Sequence, residues 1–221
     1  YKVQAKYLEG RTWLEDNYDT INKFRIIPNL AEAIYETYEN DPETLAKFGE
    51  TTIKSNKHNI TFASENYNMY FYRDIFDPKI KLKFSTGTTE PYVLKNSEEP
   101  SYLVIAEGVF DIINVYTKFA NIDKAIYVAT GGAQAIFNEV CNIYTQYVET
   151  LENLILFADS DIKIGENKYT YDKKFYNNLI NKLDKTLGKN AFKHIFIVYN
   201  KKSKDFGDMR EDILADKIQI R

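Results

Sequence analysis

The sequence predicts an α/β fold in which a parallel sheet flanked by helices follows a smaller α+β subdomain. After Pro100, apolar runs of strand length alternate with segments of helical periodicity, a succession typical of a parallel sheet covered by helices. Between about residues 53 and 94 the hydrophobic period is two, which indicates strands, and the preceding part of the chain is mainly helical in pattern. Because the polar stretch Asn96–Pro100 interrupts these patterns, we place the domain boundary there, giving domains 1–97 and 98–221.

Four apolar runs after Pro100 are the predicted strands of the parallel sheet. The run within Asn153–Asp161 (NLILFADSD) is uninterrupted and ends in aspartates, as expected of a strand buried on both faces. The other predicted strands are Tyr102–Ala106, Lys124–Ala129 and His194–Tyr199. Segments with helical spacing follow the first three strands, and a short final helix is predicted after Lys204–Asp208 (KDFGD).

Composition excludes several classes of protein. The net charge of −3 excludes a simple basic nucleic-acid wrapper, so any polyanion must meet a local basic patch. A single cysteine, Cys141, excludes internal disulfides and a cysteine-rich zinc site. The sequence has no apolar stretch of transmembrane length and no visible signal peptide. We therefore expect a cytoplasmic protein, of a bacterial cell or an infected host, with no membrane partner.

Acidic residues or glycines follow each predicted strand of the parallel sheet. In chain order these are Glu107; Gly131 and Gly132; Asp159 and Asp161; and Asp205 and Asp208. Because the carboxyl ends of parallel strands meet at one edge, where ligands bind in open α/β sheets, we expect these side chains to converge. Oxygen ligands without cysteine or clustered histidine favour Mg²⁺ or Mn²⁺. The alternative is that Asp159 and Asp161 are loop residues that cap the next element.

The segment Lys79–Phe84 alternates lysines with apolar residues, which predicts a half-buried strand with a basic outer face. Lys79, Lys81 and Lys83, together with nearby Arg73, could bind a nucleic-acid backbone. A solvated strand edge, protected from aggregation by its lysines, is the alternative interpretation.

Four motifs together resemble the Toprim domain shared by bacterial and phage primases, topoisomerases and some nucleases. EGVFD at 107–111 is similar to the first Toprim motif, and ATGG at 129–132 to the glycine-bearing end of the second strand. DSD at 159–161 matches the DxD motif, and KDFGD at 204–208 resembles the KD motif of primases. The resemblance covers roughly Ser101–Arg221. It departs from the family at Ile162–Thr170, which separates DxD from the next helix and offers only Gly165 as a match.

This resemblance implies roles for individual residues. Glu107 is the implied catalytic acid or base, and Asp159, Asp161 and Asp205 are the implied ligands of Mg²⁺ or Mn²⁺. Asp111 and Asp208 are further candidates, either as ligands or as partners of the ligands. The candidates for binding nucleotide or nucleic acid are Arg73, Lys79, Lys81, Lys83, Gly108, Gly131, Gly132 and Lys204.

Within the family, the amino-terminal segment favours a primase. Arg73 and the stretch Lys83–Gly87 (KFSTG) resemble the arginine and the lysine-aromatic-turn pattern that precede the Toprim domain in DnaG-type primase cores. The implied activity is metal-dependent synthesis of RNA primers during DNA replication. The implied partners are a single-stranded DNA template, ribonucleoside triphosphates and a replicative helicase, fused or separate. The abundance of Lys, Asn, Ile and Tyr suits AT-rich coding, as in a phage or a low-GC bacterium.

Other functions use the same residues. A Toprim nuclease would use the acidic cluster to hydrolyse a phosphodiester, and a non-catalytic module would only bind nucleic acid. A topoisomerase is disfavoured because nothing indicates the additional domains that position a strand-cleaving tyrosine. A response-regulator-like domain also clusters aspartates at strand ends.

Overall fold

The computed structural model describes residues 22–27, 40–43, 59–74, 81–85, 89–119, 122–207 and 215–221. Most of the helical segment predicted before residue 50 lies outside these ranges, as do Lys79 and Asp208. The chain divides into two compact units, Tyr1–Tyr92 and Val93–Arg221. The predicted boundary at residue 97 falls later, in the loop that follows a strand at Tyr92–Lys95.

The first unit contains a four-stranded antiparallel sheet. Its strands, in sheet order, are β1 (Ile26–Ile27), β2 (Asn59–Ala63), β3 (Met69–Asp74) and β4 (Lys81–Ser85). Aromatic side chains hold this unit together: Tyr92 is fully buried, and the rings of Phe62 and Phe71 meet its ring edge-on at 6.0 and 6.3 Å. The Tyr92 hydroxyl donates a hydrogen bond of 2.8 Å to the carbonyl oxygen of Phe24, so this buried polar atom is satisfied.

The second unit is built on a mostly parallel six-stranded sheet. Its strands are β5 (Tyr92–Lys95), β6 (Tyr102–Ala106), β7 (Ala125–Ala129), β8 (Asn153–Ala158), β11 (His194–Asn200) and β12 (Ala215–Gln219), in the order β12-β11-β8-β6-β7-β5. Strands β7, β6, β8 and β11 run parallel, which confirms the predicted parallel sheet. Strand β8 is buried at every position, as its uninterrupted apolar run requires.

Two parts of the second unit differ from the sequence prediction. A two-stranded antiparallel hairpin, β9 (Ile162–Gly165) and β10 (Lys168–Thr170), stands apart from the main sheet. The edge strand β12, antiparallel to β11, was not predicted. The short final helix predicted after Lys204–Asp208 falls on residues 208–214, which lie outside the described residues. Short strands that are stabilised mainly by pairing leave little hydrophobic periodicity for a sequence analysis to detect.

Three helices flank the parallel sheet: α1 (Val109–Phe119), α2 (Ile136–Gln146) and α3 (Lys173–Leu187). Helices α2 and α3 cover one face, where the sheet residues Leu103, Leu154 and Ile195 are fully buried in a single apolar cluster. Each such side chain contributes about 1.5–3 kcal/mol of hydrophobic stabilisation. The ring of Tyr116 on α1 meets that of Tyr127 at 5.1 Å, so α1 packs beside β7. None of the helices in the described part of the chain is long and apolar enough to cross a lipid bilayer.

Candidate active site

The turns that follow β6 and β7 are held side by side. Thr130 donates its N–H to the carbonyl of Ala106 at 3.1 Å, and Gly131 donates to the carbonyl of Glu107 at 2.7 Å. Gly131 and Gly132 have φ angles of 72° and 153°, which only glycine adopts without strain. The parallel pairing therefore continues past the strand ends and places Glu107 beside the double glycine.

Asp111 links the first turn to the last. Its two carboxylate oxygens accept hydrogen bonds from the N–H groups of Gly108, at 3.1 Å, and Phe206, at 2.9 Å. Asn114, fully buried on the same helix, donates to the carbonyl of Phe206 at 2.8 Å. A methyl group on Gly108 would clash with the Asp111 carboxylate. Of the two roles predicted for Asp111, this geometry favours a partner that positions the ligands over a ligand itself.

The DSD segment directs its two aspartates away from the core. Ser160 is fully buried, and its N–H donates to the carbonyl of Lys204 at 2.5 Å. Asp159 is partly buried and Asp161 is exposed. The ammonium group of Lys204 lies 3.1 Å from a carboxylate oxygen of Asp161. Backbone and side chain together therefore fasten the loop after β11 to the end of β8.

Asp205 sits in a tight turn of that loop. One of its carboxylate oxygens accepts a hydrogen bond from the N–H of Gly207 at 3.0 Å, and its carbonyl accepts one from the Asn200 side chain at 3.3 Å. A Cβ atom on Gly207 would lie 3.2 Å from a carboxylate oxygen of Asp111. A side chain at this position would therefore require its neighbours to shift slightly where the two acidic turns approach each other.

The carboxyl groups at these strand ends influence one another electrostatically. Burial, followed by the negative charges of Glu107, Asp205 and Asp161, raises the pKa of Asp159 to about 7, and Lys204 lowers it. Such a rise is expected where like charges crowd without a compensating cation. The four predicted carboxylates from three different strand ends therefore act on one another, as the topology of a parallel sheet predicts.

A buried tyrosine beneath these acids was missed by the sequence analysis. Tyr176, in the first turns of α3, is 3% exposed. Burial, followed by the charges of Glu107 and Asp159, raises its pKa, while a hydrogen bond from the backbone of Asp159 lowers it. Among 18 tyrosines, no spacing or motif distinguishes Tyr176. Its position depends on where α3 begins, and Asp172 sets that by capping Phe175 N–H at 3.0 Å.

The carboxylates offer the donor chemistry for a hard cation but do not form a finished coordination shell. Among the described residues, no three His, Cys, Asp or Glu side chains are grouped so that they could hold a metal ion. Asp161 is engaged by Lys204 and Asp205 by Gly207. An oxygen-only set of this kind fits Mg²⁺ or Mn²⁺, provided that Asp161 turns away from Lys204.

The predicted basic strip belongs to the first unit. Strand pairing places Arg73 opposite Lys81 and Phe71 opposite Lys83, so these positions share one face of the sheet. Lys83 is exposed and Arg73 is partly buried. The strand predicted at 79–84 is therefore present as β4, whereas Lys79 and the side chain of Lys81 lie outside the description.

Comparisons with models of protein families, with curated proteins and with solved structures found no match. The functional argument therefore rests on the side chains at the carboxyl ends of β6, β7, β8 and β11. We call this the carboxyl edge of the sheet.

Proposed function

We propose that this chain is the polymerase core of a DNA primase, which joins ribonucleotides on a single-stranded DNA template. The observation that carries the proposal is the setting of Asp159 at the carboxyl edge, where burial, followed by the charges of Glu107, Asp205 and Asp161, raises its pKa to about 7. Crowded carboxylates at the ligand-binding edge of an α/β sheet are typical of a site that acts on phosphates with a bound cation.

Asp159, Asp161 and Asp205 would hold Mg²⁺ or Mn²⁺. When bound, the ion would neutralise phosphate charge and help to align an in-line displacement. Release of Asp161 from Lys204, whose ion pair spans 3.1 Å, would free a carboxylate for the ion and an ammonium group for a phosphate of the incoming triphosphate. The same movement would therefore make the Asp161 carboxylate available to the ion and the Lys204 ammonium group available to the triphosphate.

Glu107 would serve as the general base. It is partly exposed at the turn beside Gly131, so a primer terminus can approach it. In the proposed step the 3′ oxygen of the primer bonds to the α-phosphorus, the bond to pyrophosphate breaks, and Glu107 takes the hydroxyl proton. Gly108, Gly131 and Gly132 would let phosphates approach the backbone. Arg73, Lys79, Lys81 and Lys83 would bind the template.

The test is a pair of reactions on single-stranded DNA with Mg²⁺ or Mn²⁺, with and without all four ribonucleotides. We expect short RNA products from the wild type and a loss of at least about a hundredfold in Asp159→Ala, the size of effect typical of one transition-state group. Asp123→Ala is the matched control, since Asp123 is an exposed aspartate that precedes β7 at the other end of the strand.

Other products would identify the alternatives. DNA shortened without nucleotides, and lost in Asp159→Ala, would replace the primase with a Toprim-type nuclease. Binding of DNA without RNA synthesis or DNA cleavage would indicate a non-catalytic nucleic-acid-binding module. RNA synthesis that survives in Asp159→Ala would contradict the proposed role of the acidic edge.

A further inference from the structure

The hairpin β9–β10 begins at the residue directly after Asp161. Its strands pair antiparallel, with Ile162 opposite Thr170, Lys163 opposite Tyr169 and Gly165 opposite Lys168, and a register shift lies between Lys168 and Tyr169. We call residues 162–170 the hairpin arm. Because it continues from the DSD segment, the arm projects from the carboxyl edge beside the proposed site.

One face of the arm is apolar and exposed. Ile162 is 44% exposed and Ile164 is 63% exposed, and residues two apart in a strand share a face. An isolated two-stranded hairpin is only marginally stable in water, so an arm with no use for this face would be expected to carry polar residues there. The two neighbouring isoleucines are therefore available to contact a ligand.

The base of the arm is firmly held. Tyr169 donates its N–H to the carbonyl of Lys201 at 2.9 Å. Tyr171, which directly follows the arm, is 4% exposed, and its ring packs against those of Tyr176, at 5.6 Å, and Tyr199, at 5.0 Å. A ligand held by the arm would therefore be held at a defined place relative to the acids.

The surroundings of the arm are basic. Lys201 and Lys204 are paired with Asp216 and Asp161. By contrast, five other exposed lysines in or next to the arm form no ion pair within the described part of the chain: Lys163, Lys168, Lys173, Lys174 and Lys202. The acidic residues in or next to the arm are fewer: Glu166 within it, and Asp161 and Asp172 on either side. The arm thus supplies positive charge next to an acidic edge that would otherwise repel a phosphate backbone.

We propose that the hairpin arm binds single-stranded nucleic acid and guides it to the carboxyl edge. Lys163 and Lys168 leave the face of the arm opposite to the isoleucines. Their long side chains contact phosphates along the edge of the arm, while Ile162 and Ile164 contact bases, a combination of charge and apolar surface that suits a single strand. The inference rests on the proposed function, since it names the part of the same site that holds the polynucleotide. The unpaired lysines favour this ligand over a protein partner.

The test is binding of a fluorescent single-stranded DNA oligonucleotide, measured by anisotropy at several salt concentrations with EDTA and without nucleotides. Each lost phosphate contact lowers the slope of log affinity against log salt by about 0.7 for a single strand. We therefore expect Lys163→Ala/Lys168→Ala to lower the slope by about 1.4 relative to the wild type. We expect Ile162→Ser/Ile164→Ser to weaken binding with the slope unchanged.

The matched control is Lys185→Ala/Lys189→Ala, which removes two exposed lysines near the end of α3 and before β11; it should bind as the wild type does. A wild-type chain that does not bind, or a lysine pair whose loss leaves the slope unchanged, overturns the proposal. So does an isoleucine pair whose loss changes only the oligomeric state in size-exclusion chromatography.

Because this assay needs no catalysis, it separates the two proposals. If the lysine variant lowers the slope but the wild type makes no primers, the proposal for the hairpin arm stands and the primase proposal is wrong. If the wild type makes primers but the lysine variant leaves the slope unchanged, the primase proposal stands and the proposal for the hairpin arm is wrong.

Discussion

The two edges of the parallel sheet differ in how their charged side chains are balanced. At the carboxyl edge, the charges of Glu107, Asp205 and Asp161 raise the pKa of Asp159, and among the described residues Lys204 lowers it. At the amino edge, where the same strands begin, charges are matched in pairs: Lys193 with Glu152, and Arg221 with Asp184 at 2.7 Å. The carboxyl edge therefore combines an electrostatically unfavourable cluster with two ion pairs, whereas the pairs at the amino edge stand without such a cluster among the described residues.

This difference distinguishes charges that stabilise the fold from charges that a bound ligand would neutralise. At the amino edge, Lys193 and Glu152 link the starts of β11 and β8, and Arg221 and Asp184 link the end of β12 to α3. Excess negative charge at the carboxyl edge destabilises the unliganded protein, and such local destabilisation is typical of sites that are completed by a ligand. The comparison predicts that cations and pH act on one edge, and that mutations of the other edge change stability alone.

The largest expected effect on stability is that of pH on Asp159. The folded-state pKa is about 7, above the ordinary value of 3.8, so folding favours the protonated form. The stability that protonated Asp159 contributes is fully present below about pH 4 and is lost as the pH rises through 7. The total is up to about 4 kcal/mol, at about 1.4 kcal/mol for each pKa unit. Urea unfolding at a series of pH values, without divalent cations, measures this slope.

Asp159→Asn should remove most of that pH dependence, and saturating Mg²⁺ should reduce it for the wild type, because a bound cation favours the charged carboxylate. Arg221→Ala, at the other edge, should retain it. A wild-type chain equally stable at pH 5 and pH 8 would show that the acids are not crowded in solution.

The next effect concerns the amino edge. Arg221 donates two hydrogen bonds to Asp184, at 2.7 and 3.1 Å, and the side chains are only 27% and 17% exposed. Arg221→Ala should therefore lower the free energy of unfolding by about 1–3 kcal/mol, because it leaves a partly buried carboxylate without its partner. Primer synthesis per folded molecule should not change.

The control for Arg221 is Lys95→Ala. Its pair with Glu98 spans 2.8 Å but is much more exposed, with Glu98 at 82%, so its loss should cost less than about 1 kcal/mol. Equal losses from the two variants would show that burial does not distinguish these ion pairs.

The smallest effect is expected at Ser160, between the two aspartates. Its buried hydroxyl has no hydrogen-bond partner among the described residues. Ser160→Ala should therefore be neutral or stabilising by up to about 1 kcal/mol. Primer synthesis should persist, since the N–H group of Ser160, and not its side chain, holds Lys204. A destabilised or inactive variant would show that the hydroxyl has a partner in solution.

Much of the second unit could be predicted because its signals are local. The run YLVIA became β6 at the predicted residues Tyr102–Ala106, since a fully apolar run of that length is most favourably buried as a strand. The hairpin arm and β12 could not be predicted in this way. Their exposed, mixed sequences depend on hydrogen bonds to residues distant in the chain, such as the bond from Tyr169 to Lys201.

The sequence alone determined which residues could meet at the carboxyl edge. Strand alternation dictates that the ends of parallel strands lie together, so Glu107, Asp159, Asp161 and Asp205 were predictable as neighbours. Tertiary structure alone decided the contacts that each of them makes. Asp111 accepts a hydrogen bond from the N–H of Phe206, 95 residues away in the chain. Asp161 forms an ion pair with Lys204. Burial around Asp159 depends on the packing of Tyr176 from a later helix. Periodicity describes which face a residue occupies, but the partner of a side chain is set by distances that exist only in the folded chain.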